Sequence, residues 1–72
     1  MIKVIWYEVG REESNVLGSG SIYYVNWAGK NEEDALEELG KSNNNYISRL
    51  IREDKQLKEQ KYNLITKEWE YW

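Results

Sequence analysis

The fold is decided by the stretch Ser21-Ile-Tyr-Tyr-Val-Asn-Trp-Ala-Gly-Lys-Asn-Glu-Glu-Asp-Ala-Leu-Glu-Glu-Leu-Gly40. Its first part, residues 22–27, is almost entirely β-branched or aromatic, which is the composition of a strand. Strict alternation places Tyr23, Val25 and Trp27 on one face, and we assign this face to the core because it is the more apolar. Gly29 then ends the strand, and the chain runs directly into a short acidic segment.

That acidic segment has the signals of a helix. Asn31 is a good N-cap, and acidic residues fill the first turn, where negative charge favours the positive end of the helix dipole. Gly40 is predicted to end the helix in the left-handed conformation. A spacing of 100° per residue turns Leu36 and Leu39 toward the core face of the strand, over Val25 and Trp27. It turns three acidic residues outward: Glu33, Asp34 and Glu37.

The segments on either side supply further strands and loops. Residues 1–9 predict a first strand in which Ile2, Val4 and Trp6 alternate with Lys3, Ile5 and Tyr7. Both of its faces are rather apolar, so we expect it to have a neighbour on each side. Residues 10–20 and 41–45 are polar and rich in glycine, serine or asparagine, and they predict loops.

The segment 46–60 has two possible readings. The spacing of its apolar residues suits a helix, whereas its tyrosine and β-branched content favours a strand over 46–53, a turn at 54–56 and a strand from Leu57. Residues 61–72 predict a hairpin in which Tyr62 faces Trp69. In that hairpin Trp69 and Tyr71 share one face of the strand, and Trp72 lies on the other.

These elements predict a single α+β domain over residues 1–72. We expect a small antiparallel sheet with one short helix packed on one face, in the order ββαββ(β). The alternative is ββααβ, with a second helix at 46–60. A domain of 72 residues has a marginal core, and its four Trp and six Tyr residues are the obvious compensation.

The composition argues against catalysis. The chain has no His and no Cys, which excludes the commonest general base, thiol nucleophiles and the familiar zinc sites. Chemistry based on carboxylates alone needs a cleft that raises one pKa, and so small a domain has little room for one. We therefore expect no enzyme activity, no metal and no cofactor.

The charge limits the partners. The formal net charge is −3, which disfavours duplex nucleic acid as a ligand. No stretch is apolar for long enough to span a membrane, and the apolar start of the chain has no signal-peptide cleavage site. We expect a cytoplasmic protein.

The first functional hypothesis is a small acidic interaction protein. It would bind a basic surface on another protein through the outer helix residues and exposed aromatic rings. The candidate partner-binding residues are Glu33, Asp34, Glu37, Trp69, Tyr71 and Trp72. Small chains rich in Lys, Asn, Ile and Glu are common in phages and mobile elements, so an inhibitor of a host protein is the form we expect.

The alternative is an aromatic platform that binds nucleotides or single-stranded nucleic acid, in a chain that could form a homodimer. The candidate platform rings are Tyr23, Tyr24, Trp27, Trp69 and Trp72. The phosphates would be held by cations in the second half of the chain: Arg49, Arg52, Lys55, Lys58 and Lys61.

Overall fold

The computed structural model of this 72-residue chain describes residues 1–14, 18, 20–41 and 43–72. Five antiparallel strands form one sheet in the order β2-β1-β3-β4-β5, and within the described residues one short helix lies on one face. The elements are β1 (Ile2–Ser14), β2 (Ser21–Gly29), α1 (Glu32–Leu39), β3 (Tyr46–Glu53), β4 (Gln56–Asn63) and β5 (Glu68–Tyr71).

The predicted class, a small antiparallel sheet with one short helix, is confirmed. The predicted order ββαββ(β) is confirmed only in part, since the sequence left the last strand open and the chain order is ββαβββ. The first strand has neighbours on both sides, as expected. At the other end of the chain, Tyr62 pairs with Trp69 in the predicted hairpin.

The alternative with a second helix at 46–60 is wrong, because these residues form β3 and β4. Asp54 and Lys55 join the two strands with φ angles of 50° and 73°. Two consecutive positive φ angles give a turn whose twist matches that of the flanking strands, so the hairpin closes tightly despite the helical spacing of its apolar residues.

The loop predicted for residues 10–20 is wrong at its start. β1 continues to Ser14, and its last residues pair with the first residues of β2. Polar residues are accommodated here because this end of the β1–β2 ribbon extends beyond β3, whose pairing with β1 ends at Gly10 and Tyr46. Residues 15–17 and 19 of the predicted loop lie outside the described residues.

The helix begins and ends where the sequence predicts, but the backbone conformation at its end differs from the prediction. The Asn31 side chain accepts a hydrogen bond from the backbone N–H of Asp34 at 3.1 Å, which confirms the N-cap. Gly40 has φ −79°, so the left-handed conformation predicted for it is wrong. The backbone instead tightens through a hydrogen bond from the Gly40 N–H to the carbonyl of Glu37 at 3.1 Å.

Packing of α1 on the sheet depends on its small residue. Ala35 is fully buried and Leu39 is partly buried against the core, whereas Leu36 is 46% exposed. The expectation that both leucines lie over the sheet therefore holds for Leu39 and only in part for Leu36. The core cluster consists of Tyr7, Val9, Ala35 and Ile47.

A first register shift changes the faces of β1. In the pairing with β3, the register shifts between Val4 and Trp6, which leaves Ile5 as an extra residue. Val4 and Tyr7 consequently both belong to the helix side, and Trp6 lies on the opposite side. The predicted strict alternation along this strand is wrong for that reason.

A second register shift changes the faces of β2. Val9 pairs with Trp27, but Gly10 pairs with Val25, so Asn26 is the extra residue. Trp27 packs against the core on the helix side, whereas Tyr23 and Val25 lie on the opposite side. The prediction that these three residues share the core face, with Leu36 and Leu39 over Val25, is wrong.

Gly10 is required at this shift. A Cβ atom added to Gly10 would overlap the carbonyl oxygen of Tyr24 and would lie 3.0 Å from the ring of Tyr46. Any other residue would have to push β2 away from β1 or displace the Tyr46 ring.

We predict that Gly10→Ala lowers the free energy of unfolding by about 3 kcal/mol or more, because backbone atoms cannot move aside as a flexible side chain would. Urea denaturation measures this loss. Gly18→Ala is the matched control, since a Cβ there would meet nothing within 4 Å. Equal stability of the two variants would contradict the close approach at Gly10.

We also predict that Leu39→Ala destabilises the protein more than Leu36→Ala. Leu39 packs against the core cluster, and removal of such a side chain costs roughly 2–5 kcal/mol. Leu36 is half-exposed, so its removal should cost less than half as much. The same denaturation experiment decides the order, and a reversed order would show that the helix is rotated about its axis.

Candidate functional site

The side of the sheet opposite α1 is the candidate site, and we call it the open face. The helix contacts β1, β2 and β3 on the other side, and no described helix covers this one. Cross-strand partners share a face, so the pairing defines its members. The open face contains Lys3, Trp6, Glu8, Glu12, Tyr23, Val25, Tyr46, Ser48, Leu50, Arg52, Leu57, Glu59, Lys61 and Trp72.

Three aromatic rings form its centre. Tyr46 is only 2% exposed, because the rings of Tyr23 and Trp72 lie over it. The centroids are 5.2 Å apart for Tyr23 and Tyr46, and 4.9 Å apart for Tyr23 and Trp72, with edge-to-face geometry in both pairs. The Trp72 backbone N–H donates to the carbonyl of Glu59 at 3.1 Å, which fixes the Trp72 ring over the sheet.

A polar network borders these rings. The Glu12 carboxylate accepts hydrogen bonds from the Tyr23 hydroxyl at 2.8 Å and from the Lys61 ammonium at 3.1 Å. The bond from Tyr23, followed by that from Lys61, lowers the pKa of Glu12 below its usual value. The same bond raises the pKa of Tyr23, because ionised Tyr23 could not donate it. The hydrogen bond therefore favours the ionised form of Glu12 and the neutral form of Tyr23.

Two cavities on this side meet at Trp72. The first has a volume of about 290 Å³, and its apolar wall includes Trp6, Val25 and Leu50. The second, of about 590 Å³, adjoins the β4–β5 turn and includes Leu64 and Ile65. The Trp72 ring is therefore accessible from both cavities, although it also packs on the central rings.

The charge around the rings is mainly negative. Glu8, Glu12 and Glu59 are the carboxylates of the open face near the rings, and Lys61 is the ammonium group closest to them, 5.7 Å from the ring centres of both Tyr23 and Trp72. Lys61 is already paired with Glu12. Glu8 accepts a hydrogen bond from the Trp6 indole at 3.0 Å and lies next to the apolar surface.

The acidic candidates from the sequence lie elsewhere. Glu33, Asp34 and Glu37 are exposed on α1, on the far side of the sheet from the open face. The aromatic candidates are divided between the two sides: Trp69 and Tyr71 lie on the helix side of β5, and Trp72 lies on the open face. The structure therefore does not bring the predicted partner-binding residues together.

Trp69 and Tyr71 are engaged within the molecule. The Arg49 guanidinium lies 4.2 Å from the centre of the Trp69 ring, and Tyr62 packs on that ring at 5.1 Å. The Tyr71 hydroxyl donates to Glu53 at 3.0 Å. Hydrogen bonds from Lys58 and then Tyr71 lower the pKa of Glu53. Trp69 shields this side of β4 and β5 from solvent in place of the helix, because α1 does not contact either strand.

The cations proposed to hold phosphates are also separated. Arg49 and Lys58 lie on the helix side of the sheet, with Trp69 and Tyr71, whereas Arg52 and Lys61 lie on the open face and Lys55 lies in the β3–β4 turn. The described part of the chain contains no cluster of acidic residues suited to a metal ion. Among the same residues, no helix combines the length and apolar character needed to cross a membrane.

The sequence prediction missed most of the open face. The sequence places Trp6 in a strand and leaves Tyr46 and Leu50 between helix and strand. It assigns none of the three to a site, because it reveals neither the strand pairing of 46–53 nor the shift at Ile5. One available signal was the spacing of Trp6 and Glu8, which places an indole donor and a carboxylate acceptor on one side of a regular strand.

Comparison with protein-family models, curated proteins and solved structures finds no match to this chain.

We predict that Glu12→Gln weakens the pH dependence of stability in acid. A carboxylate whose pKa is lower in the folded state stabilises the fold above its unfolded pKa, about 4.3, and this stabilisation is lost as the pH falls. The wild type should therefore lose stability between roughly pH 5 and pH 3, and Glu12→Gln should lose less. Urea denaturation across this range is the measurement.

The matched control for this experiment is Glu33→Gln, which removes a carboxylate on α1, far from the network. It should change the acid profile less than Glu12→Gln does, because the Glu33 carboxylate accepts neither of the two hydrogen bonds of the network. If Glu12→Gln and Glu33→Gln gave the same acid profile, the bonds from Tyr23 and Lys61 would contribute nothing to stability.

Proposed function

We propose that this chain is a non-catalytic interaction protein that binds a basic surface of another protein, and that the open face is its binding surface. The observation that carries the proposal is the aromatic and aliphatic surface around Trp6 and Trp72, which no described helix covers and which carboxylates border. The proposed binding surface is acidic, as the sequence predicts, but it lies on the open face and not on the acidic residues of α1.

Exposure supports this choice of surface. Trp6 is 41% exposed, Val25 52% and Trp72 50%, and all three border the smaller cavity. Exposed Trp residues in a contiguous apolar patch are typical anchors of protein interfaces. The cavity, about 290 Å³, is at the lower limit of ligand pockets, so it suits a protruding side chain better than a large cofactor.

The charges indicate what kind of side chain would enter. A Lys or Arg of the partner could approach the carboxylates of Glu8 and Glu59 while it lies against the Trp6 or Trp72 ring, which combines ion pairing with a cation–π contact. A phosphate would meet the same carboxylates and would be repelled. This is why we favour a basic protein surface over nucleotides or single-stranded nucleic acid.

The inhibitor role expected from the composition follows from the same chemistry. The basic surfaces of nucleic-acid-binding proteins are built for phosphates, and an acidic protein that covers one would compete with the nucleic acid. In this proposal the chain acts in the cytoplasm on such a partner. The fold supports the binding surface, and the inhibitory role rests on the composition of the sequence.

Tryptophan fluorescence provides the test. We expect a peptide with alternating Arg and Leu residues to change the emission in a saturable and salt-dependent manner, whereas a Glu–Leu peptide and oligo-dT should not. Trp6→Ala should weaken binding roughly thirty-fold, the effect of losing a contact worth about 2 kcal/mol.

A matched pair of charge reversals locates the surface. Glu8→Lys with Glu59→Lys should abolish binding of the basic peptide, and Glu33→Lys with Glu37→Lys on α1 should leave it nearly unchanged. Saturable binding of oligo-dT that depends on Lys61 would instead support the nucleic-acid alternative. Loss of peptide binding only in the helix variant would assign the function to α1.

A further inference from the structure

The free edge of β2 is a second surface that the proposed function does not use. The sheet has two edge strands, β2 and β5, and they are built differently. β5 has four residues and carries Glu68 and Glu70, so it is short and charged. β2 has nine residues and carries no charged side chain. Short length and charge are two of the usual protections against strand addition, and β2 has neither. A third protection, a register shift, interrupts β2 at Asn26, so the regular part of the edge is residues 21–25.

The side chains of β2 reinforce this contrast. Ile22, Tyr24 and Val25 are each more than 40% exposed, and Tyr23 is 36% exposed. Ile22 and Tyr24 lie on one face of the strand, and Tyr23 and Val25 on the other. An added strand would therefore gain apolar contacts on both faces, as well as backbone hydrogen bonds.

We infer that the strand that pairs with this edge is β2 of a second copy of the chain, in antiparallel orientation. A twofold axis through Tyr24 would place Tyr23 of each copy opposite Val25 of the other, which is a favourable aromatic and β-branched pair. Since β2 is uncharged, no like charges meet at such a contact. The apolar residues that match this edge lie within β2 itself, so a second copy of the chain provides the complementary strand.

The twofold axis determines how the two sheets and the two helices of such a dimer are arranged. The twofold axis is perpendicular to the sheet, so two five-stranded sheets join into one of ten strands. Both helices lie on one side, and both open faces lie on the other. The inference does not rest on the proposed function: it shares Tyr23 and Val25 with the open face, but it depends on strand pairing at the edge and not on Trp6, Trp72 or the carboxylates.

Sedimentation equilibrium of the wild type and two variants tests the dimer. We expect the wild type to associate to twice the chain mass of 8.7 kDa. Tyr24→Glu should raise the dissociation constant roughly ten-fold or more, because two carboxylates then meet at the axis. The fold should survive the change, since Arg11 lies 5.0 Å from the Tyr24 ring and can pair with the new carboxylate.

Leu57→Glu is the matched control. Leu57 is 59% exposed on β4, three strands away from β2, and its cross-strand partner is Arg52. It should leave the dissociation constant unchanged. A wild type that remains monomeric at the concentrations of an NMR sample would overturn the inference, as would equal weakening by both variants.

Cysteine cross-linking gives a second test that does not depend on affinity. The chain has no cysteine, so a single substitution introduces the only thiol. Residues directly opposed in antiparallel strands have Cα atoms about 4.5–5.5 Å apart, within reach of a disulfide. Tyr24→Cys should form a disulfide-linked dimer on mild oxidation, and Glu70→Cys on β5 should not. Cross-linking only at β5 would contradict the assigned edge.

Discussion

The register shift between β1 and β2 determines which residues each face of this sheet presents. Asn26 is the extra residue, and Gly10 allows the close approach of the two backbones. As a result Trp27 packs under the helix, while Tyr23 and Val25 lie on the opposite side. Gly10 also leaves room for the Tyr46 ring, which is buried on the open face and supports Tyr23 and Trp72. Both sides of the sheet are thereby partly apolar, and the helix covers part of only one.

The remaining surface is stabilised by aromatic rings in place of a second helix. On the helix side, the stack of Tyr62, Trp69 and Arg49 lies over β4 and β5, which α1 does not reach. On the open face, the three central rings and the network of Glu12 and Lys61 have the same role. A helix of eight residues is too short to be stable alone, so it depends on Ala35 and Leu39, which contact the sheet. Rings on both sides therefore compensate for a small core, and those left half-exposed become available for binding.

Local signals in the sequence predicted a good part of this fold. The N-cap at Asn31 and the pairing of Tyr62 with Trp69 follow from residues close together in the chain, and both are confirmed. The two faces were not predictable, because an extra residue at Ile5 or Asn26 changes the side of every later residue without changing the composition. Residues 46–53 form a strand because they pair with β1, a segment distant in the sequence, and 56–63 then pair with them. Alternation separated Trp72 from Trp69 and Tyr71 correctly, but it could not show that the open face would gather Trp6, Tyr46 and Leu50.

The most direct test of the register shift is a nuclear Overhauser spectrum that locates the methyl groups of Val25. We expect cross-peaks from these methyls to the rings of the open face, Tyr23 and Tyr46, while the Trp27 ring shows cross-peaks to Val9 on the helix side. Cross-peaks from the Val25 methyls to Ala35 or Leu39 would place Val25 under the helix, as uninterrupted alternation requires. That result would contradict the division of the two faces on which the binding surface depends.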